Sequence, residues 1–529
     1  MQKKLQLDKL EHTHKKFVAI QIDGLSYNVL KKAMDKGYCR FIKSLIEKER
    51  MHFTGYNCGI PSGTPGVQAS IFYGENRHIP AFRFIDKKEK QYYSFARPGL
   101  ARLAETNFFA GKKGMLEGGA SYSNILSGGA ERSIFTMSTI TATKRFKRIK
   151  ESDLWLFMLL NPLSLTRVIY YTFSEISIEM FSVIRNLFRS RGKGIYEVWI
   201  PFRRWFMNAI LAEMITLGVT IDLRRGVPKI YMTYINYDDV AHWRGPESLE
   251  SFFTLRSLDR RIKRMYRQAK GYDFYVLSDH GQQKGIPFKV QNDMELTEFI
   301  QKCTNAKTVE AEQGEKRTHF FAAVMQKTVD VLQYASAPLR WVVKGFAQGT
   351  LKLVKGERYP FDWDDKKAIF VIDSCCVANI YFNSSNKRLQ KNELEKMYPH
   401  LIDKVVSNRS VGMVMVQDRK DALFVGKKGS IRIRADGSLK EEGEDILSRY
   451  GDKETLIKQL KDFSAKSFLG DLVLFGNVEE GFVISFTDHV GCHGGIGGDM
   501  TAPFVISKDY PDLTGVIDSK ELHKIFSKY

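Results

Sequence analysis

Three short apolar runs in this chain each lead directly into side chains that bind metals, and few folds accommodate that pattern. Residues 17–22 (FVAIQI) run into Asp23-Gly24, residues 229–236 (KIYMTYIN) into Asp238 and Asp239, and residues 274–278 (FYVLS) into Asp279-His280. Each reads as a buried strand with polar residues at its tip. Helical patterns fill the chain after the first run, through about residue 49, and the interval 248–270 between the other two. Strands alternating with helices imply an α/β fold with a mostly parallel central sheet covered on both faces. Ligands of such sheets collect at the carboxyl ends of the strands, where these acidic and histidine residues fall.

The rest of the chain bounds this reading. Its 529 residues, 43% of them hydrophobic, are ample for a large core, either as several domains or as one core with insertions. We expect the core in three parts, residues 1–143, 223–289 and 476–529, interrupted by a helical insertion at 144–222 and a small α+β cap at 290–475. The cap starts helical and turns to strand patterns: AIFVID, VANIYF, VGMVMVQ, ALFVG and SIRIRA. The helical insertion opens on the basic run KRFKRIK, and the uncharged stretch 154–166 is broken by Asn161-Pro162, which is too short for a clear membrane span. Beyond the break, Leu165, Val168, Ile169, Phe173, Ile176, Met180, Val183, Ile184 and Leu187 form a helical stripe. That stripe fits a hairpin packed on the core or an amphipathic element lying on a membrane through 154–187, with a true span as a third option.

The formal charge of +21 favours anionic partners without choosing among phosphates, nucleic acid and acidic membranes. No nucleic-acid motif stands out, so no specific nucleic-acid partner is expected. The six cysteines match no zinc ribbon or redox pair, and Cys375-Cys376 reads as core packing. The first residues, MQKKLQLDKLEHTHKK, contain no apolar signal-type stretch, and a cytoplasmic location, possible peripheral membrane contact included, is the expectation. Oligomeric state is not legible.

Taken singly, each polar tip has a plain explanation as a turn or a helix cap. Taken together, Asp23, Asp238, His242, Asp279, His280 and His493 offer three carboxylates and three imidazoles. That set suits two divalent ions, zinc first and manganese second. Thr64, in PSGTPG, has Pro65 beside it in a first-turn position and opens a helical pattern, where a phosphate would be favoured.

The order and spacing of these pieces resemble the alkaline phosphatase superfamily, and within it the type I phosphodiesterase/nucleotide pyrophosphatase branch. In that branch an Asp follows the first strand, and a nucleophilic Thr starts a helix with a Gly ten residues on, as Thr64 and Gly74 do here. The branch's Asp-x-x-Gly-His-x-x-Gly-Pro corresponds to Asp238 through Pro246, with Ala241 replacing the Gly. Its Ser-Asp-His-Gly corresponds to Ser278–Gly281 and its late His-Gly to His493-Gly494.

The resemblance implies an alkaline phosphatase-like core and a phosphohydrolase working through a covalent phospho-threonine on Thr64. One metal would be held by Asp238, His242 and His493, and the other by Asp23, Asp279, His280 and the Thr64 oxygen. Asp239 rivals Asp238, and His489 rivals His493. Where relatives that cleave diesters carry an Asn, the stretch GENRHIPAFRF is shorter and aligns Arg83, either as a charged clamp better suited to a monoester or as a surface residue with a backbone N–H binding the phosphate instead. Nucleotide pyrophosphatase-like diester cleavage is the first reading. A phosphomonoesterase or membrane-associated phosphotransferase is the alternative, and an inactive metal-containing protein bound to a membrane surface is the second alternative. The substrate would be a phosphate-ester small molecule or a lipid headgroup.

Overall fold

The computed structural model describes residues 15–141, 154, 157–158, 160–187, 204–310, 361–509 and 511–529. The basic run at 144–150 lies outside them.

The central sheet is α/β and mostly parallel. Its strands are β1 (Phe17–Ile22), β2 (His52–Gly55), β3 (Ala120–Tyr122), β4 (Arg132–Ile134), β5 (Lys229–Tyr234), β6 (Asp273–Leu277) and β9 (Phe504–Ser507). They lie in the order β2-β9-β6-β1-β5-β3-β4. The runs β5, β1 and β6 are adjacent and parallel, with Phe17 level with both Lys229 and Asp273. Their carboxyl ends therefore open at one edge, which is why three distant segments deliver their polar tips to one place. All six residues of β1 are buried, as a strand with neighbours on both sides and helices above and below requires. Only β9, near one side, runs against the rest, pairing antiparallel with both β2 and β6.

A second, eight-stranded sheet is built from Thr308–Glu310 and from segments between 369 and 476. Its hairpin of β7 (Ile369–Ser374) and β8 (Val377–Phe382) alternates cleanly. Ile369, Val371, Ala378 and Ile380 face one apolar cluster, while Phe370, Ile372 and Tyr381 face another. The five strand patterns read from the sequence between 368 and 435 all fall on strands of this sheet.

The helices that concern the site are α1 (Thr64–Tyr73), α2 (Pro162–Leu187), α3 (Ala212–Arg225), α4 (Asn236–Arg244) and α5 (Leu249–Tyr266). Phe206–Arg225, comprising α3 and the π-helical segment before it, is the one described helix long and apolar enough to cross a membrane, and its apolar window is 89% buried in the protein.

Much of the described stripe on α2 faces outward. Leu165, Ile169, Phe173, Ile176 and Met180 are exposed, and Leu163, Tyr170 and Phe181 extend the same outer surface. The inner face is polar: Glu175 pairs with Arg204 (3.2 Å), Trp205 donates to Thr172 (2.8 Å), and Arg167 lies 3.5 Å from Glu213. Val168 and Tyr171 also pack inward, Tyr171 under the Arg261 guanidinium (3.7 Å), so α2 lies against the core through ion pairs and a few apolar contacts while much of its stripe is exposed.

Candidate metal centre and active site

Each site residue sits where the sheet edge or a helix start fixes it. Asp23 is the first residue past β1, and its N–H still bonds Tyr234 O of β5 (3.0 Å). Asp279 and His280 follow β6. Asp238 and His242 are one helical turn apart on α4, hence on one face, with Asp238 Oδ2 3.4 Å from His242 Nε2. His493 arrives on the C-terminal glycine-rich loop, which the Gly494 N–H pins to Ser62 O (2.8 Å). All six of these residues and Thr64 are buried.

Thr64 opens α1. Gly63 precedes it in extended backbone with no capping side chain, and Pro65 occupies the first turn. The amide groups of a first helical turn lack partners within the helix, and such a helix start favours an anion. Thr64 Oγ1 lies 3.0 Å from Asp23 Oδ1 and 3.1 Å from His280 Nε2. His280 Nε2 in turn lies 3.5 Å from both Asp23 Oδ1 and Asp279 Oδ2. This first half brings together Asp23, Thr64, Asp279 and His280.

In the second half, His493 Nε2 is 3.2 Å from His242 Nε2 and 3.8 Å from Asp238 Oδ1. Asp238, His280 and His493 also place their ligand atoms within 4.8 Å of one another, so the two halves abut. His489, the rival to His493, stands behind the His242 ring at 4.4 Å between centroids. Asp239 is buried in the first turn of α4 but joins none of the candidate metal clusters among the described residues.

The imidazoles are oriented for ligation. His242, His280 and His493 turn Nδ1 to the carbonyls of Gly491 (2.7 Å), Gly281 (3.0 Å) and Ser62 (3.1 Å). A ring held through Nδ1–H presents an unprotonated Nε2 to a cation. Gln282 donates through Nε2 to both the backbone carbonyl and Oδ1 of Asp238, fixing that carboxylate. Gly24 has φ +72, and a Cβ there would lie 2.5 Å from Asp238 Oδ1, so only glycine lets β1 end so close to α4.

The electrostatics fit bound cations. Burial pushes the Asp279 carboxyl above its usual range; His280 works against that and Asp238 adds to it. Burial opposes a charge on His242, yet the Asp238 carboxylate and the Cys375 thiol hold its imidazole well above the usual histidine range. Three buried carboxylates facing three imidazoles form a donor set that divalent ions would satisfy.

Two neighbours were not legible in the sequence as site residues. Gln282 directly follows the Ser-Asp-His-Gly motif, and that adjacency was the available signal. Cys375 gave none: the Cys375-Cys376 pair packs in a buried apolar cluster with Val483, Cys492 and Met500, as expected, but it also forms the tip of the β7–β8 hairpin, where the Cys375 thiol clusters with His242 and His493.

Arg83 starts a short strand (Arg83–Asp86), is fully buried, and donates its backbone N–H to Ser374 Oγ at 3.3 Å. Its Nη1 lies 3.8 Å from Asp373 Oδ1. A small depression lies beside His493 and Gly63, lined by Pro61, Pro65, Phe82, Ser374 and Val377.

A family model for type I phosphodiesterase/nucleotide pyrophosphatase matches residues 17–329, more than half of the chain. The chain belongs to this family. The matched span holds every ligand named above except His493. Phosphonoacetate hydrolase from Sinorhizobium meliloti 1021, solved with phosphonoacetate, is similar in structure at 13% identity and TM-score 0.49, covering 97% of this chain and 95% of that one. Murine ectonucleotide pyrophosphatase/phosphodiesterase 5 in complex with AMP is similar at 10% identity and TM-score 0.43, covering 97% and 94%. The human form of that protein gives 10%, 0.43, 97% and 93%. No curated protein matches the sequence significantly. The fold of this phosphodiesterase-family chain is α/β, with a mostly parallel central sheet.

Proposed function

We propose that the protein hydrolyses phosphate esters through Thr64 at a centre holding two divalent cations. The observation that carries this reading is the Thr64 hydroxyl itself, at a helix start and within 3.1 Å of both Asp23 and His280. Asp23, Asp279 and His280, with the Thr64 oxygen, would hold one cation, and Asp238, His242 and His493 the other. Such ions lower the pKa of a bound hydroxyl and screen the charge of a phosphoryl group under attack.

The chain's own groups then divide the work. Thr64 Oγ1 forms the bond to phosphorus, its proton passing to solvent through the Asp23 and His280 side. The bond from phosphorus to the leaving oxygen breaks, and that oxygen takes up a proton. Water then cleaves the phospho-threonine and restores Thr64. The first turn of α1 receives the non-bridging oxygens, and the depression beside His493 receives an organic substituent of the ester.

Diester cleavage, as in nucleotide pyrophosphatases, is favoured over monoester cleavage. Arg83 is already matched by the Asp373 carboxylate, so a second phosphate charge gains less from it than the sequence alignment implies. The test is turnover of zinc- or manganese-loaded protein on bis-p-nitrophenyl phosphate and on p-nitrophenyl phosphate. Faster release from the diester is expected, and an Arg83→Met variant should change the ratio little. Preference for the monoester, lost in Arg83→Met, would restore the clamp.

A second reading concerns where the substrate lies. The outer face of α2 is apolar, with Leu163, Phe173 and Met180 each at least 60% exposed. Beside it, α5 exposes Arg256, Arg260, Lys263 and Arg267 on one side, and Arg260 donates to Tyr170 of α2 (2.7 Å). An apolar strip flanked by a basic one suits an acidic bilayer surface and points to lipid-headgroup esters as substrates to try. Co-sedimentation with phosphatidylcholine vesicles, with and without phosphatidylserine, tests it. Binding to the acidic vesicles, lost in Phe173→Glu, is expected; no binding to either overturns it.

A further inference from the structure

The cap sheet reaches into the metal centre at one point. The β7–β8 hairpin closes through Cys375-Cys376, and its tip is fastened on both sides. Cys376 N–H bonds His493 O (3.3 Å), the Phe486 N–H bonds Cys375 O (2.7 Å), and the Gly476 N–H bonds Cys376 O (2.9 Å). Cys375 has φ +56, a conformation that costs a side-chain-bearing residue about 1 kcal/mol or more. Its thiol is 3.5 Å from His489 Nδ1, and Thr487 Oγ1 contacts it at 3.8 Å. Above all, Cys375 Sγ and the ring nitrogens of His242 and His493 lie within 4.8 Å of one another, all three residues buried.

Cys375 packs in an apolar cluster with Cys376, Val483, Cys492 and Met500, yet its thiol also meets two imidazoles of the site. Two imidazoles and a sulfur converging on one point form a donor set softer than two imidazoles and a carboxylate alone. Thiolate favours zinc and cadmium over manganese and magnesium. The other half of the site, with two carboxylates, an imidazole and a hydroxyl, has no such bias.

We propose that Cys375 is a further ligand of the cation held by Asp238, His242 and His493, and that it makes this half of the site selective for zinc. The inference rests on the two-cation reading above. Cys375 binds as the thiolate, its proton leaving to water, and one Sγ–metal bond forms. The cap is thereby tied to the core through the ion. A centre with four protein donors must expand its coordination, or release the sulfur, to meet a phosphoryl oxygen.

The experiment uses the full chain stripped of metal and titrated with cadmium, read by ultraviolet thiolate-to-metal charge-transfer absorption and by metal content. The wild type is expected to bind two cadmium ions and to show the absorption. Cys375→Ser is expected to lose the absorption and to lower the zinc-over-manganese affinity ratio by about tenfold or more. If the serine variant fails to fold, Cys375→Ala and the wild-type spectrum carry the test. Two bound ions without the absorption overturn the proposal, as does an absorption unchanged in Cys375→Ser, which would assign it to Cys376 or Cys492. Thr64→Ala separates this from the functional reading. It should abolish turnover and leave the absorption intact, so an enzyme that shows the band but turns over nothing would sink the hydrolase and not the ligand.

Discussion

The half of the site around Thr64 and the half around His242 are assembled in different ways. The first takes its ligands from two adjacent parallel strands and the helix start facing them, so the core sheet alone sets its geometry. The second draws Asp238 and His242 from α4, His493 from a loop near the C-terminus, and the Cys375 thiol from the cap. The first half is rigid by topology. The second is held by contacts between segments far apart in sequence, so it should be the more sensitive to changes away from the ligands.

The largest effect that sharpens this contrast comes from removing a ligand. His242→Ala should retain only one ion and lose about 10²–10³-fold in turnover, whereas Asp279→Asn should empty the other half with a similar loss. Metal content measured beside kcat checks both, and a single variant that emptied both halves would show they are not separable.

A supporting residue should matter less and only on one side. Gln282→Ala frees the Asp238 carboxylate and should weaken binding in the second half by about tenfold, measured by chelator competition, while the Thr64 half keeps its affinity.

Backbone space gives the next test. Gly24→Ala forces a Cβ onto Asp238 at a positive φ and should lower stability by about 1–2 kcal/mol in chemical denaturation, with a larger effect on activity than on the fold.

The pH response follows from His242. Its folded pKa is raised above the ordinary 6.5, so in metal-free protein its contribution to stability is full below pH 6.5 and fades as pH rises through the raised value. A cation competes with that proton. Zinc should therefore raise the Tm more at about pH 8 than at about pH 6, and an equal or reversed shift would contradict the assignment of His242.

The smallest effect is expected on α2. Phe173→Glu should leave turnover of a soluble diester within about twofold, because its side chain faces outward and away from the core.

Much of this was legible because the core is simple. Buried parallel strands read as continuous apolar runs, so Asp23, Asp279 and His280 announce themselves at their ends, and the four-residue step from Asp238 to His242 encodes one helix face. Thr64 was legible from Pro65 and the glycine ten residues on. Cys375 was not, because a hairpin tip inside a cap has no period linking it to a distant metal site. Only the three-dimensional return of β7 and β8 brings it there. The direction of the α2 stripe was hidden for a related reason. Periodicity shows that a helix has an apolar face, but the inward pairs of Glu175 with Arg204 and Arg167 with Glu213, beside Val168 and Tyr171, lie on the face that turns to the core.

The central claim is that Thr64 carries the chemistry, and it is tested most directly by comparing zinc-loaded wild type with Thr64→Ala on bis-p-nitrophenyl phosphate, with metal content measured in both. The account predicts at least one tightly held ion in each protein, release of p-nitrophenol by the wild type, and a loss of at least about 10³-fold in the variant. Equal turnover by the two proteins would contradict it, and metal-loaded wild type inert on every ester tried would favour a binding protein in place of a hydrolase.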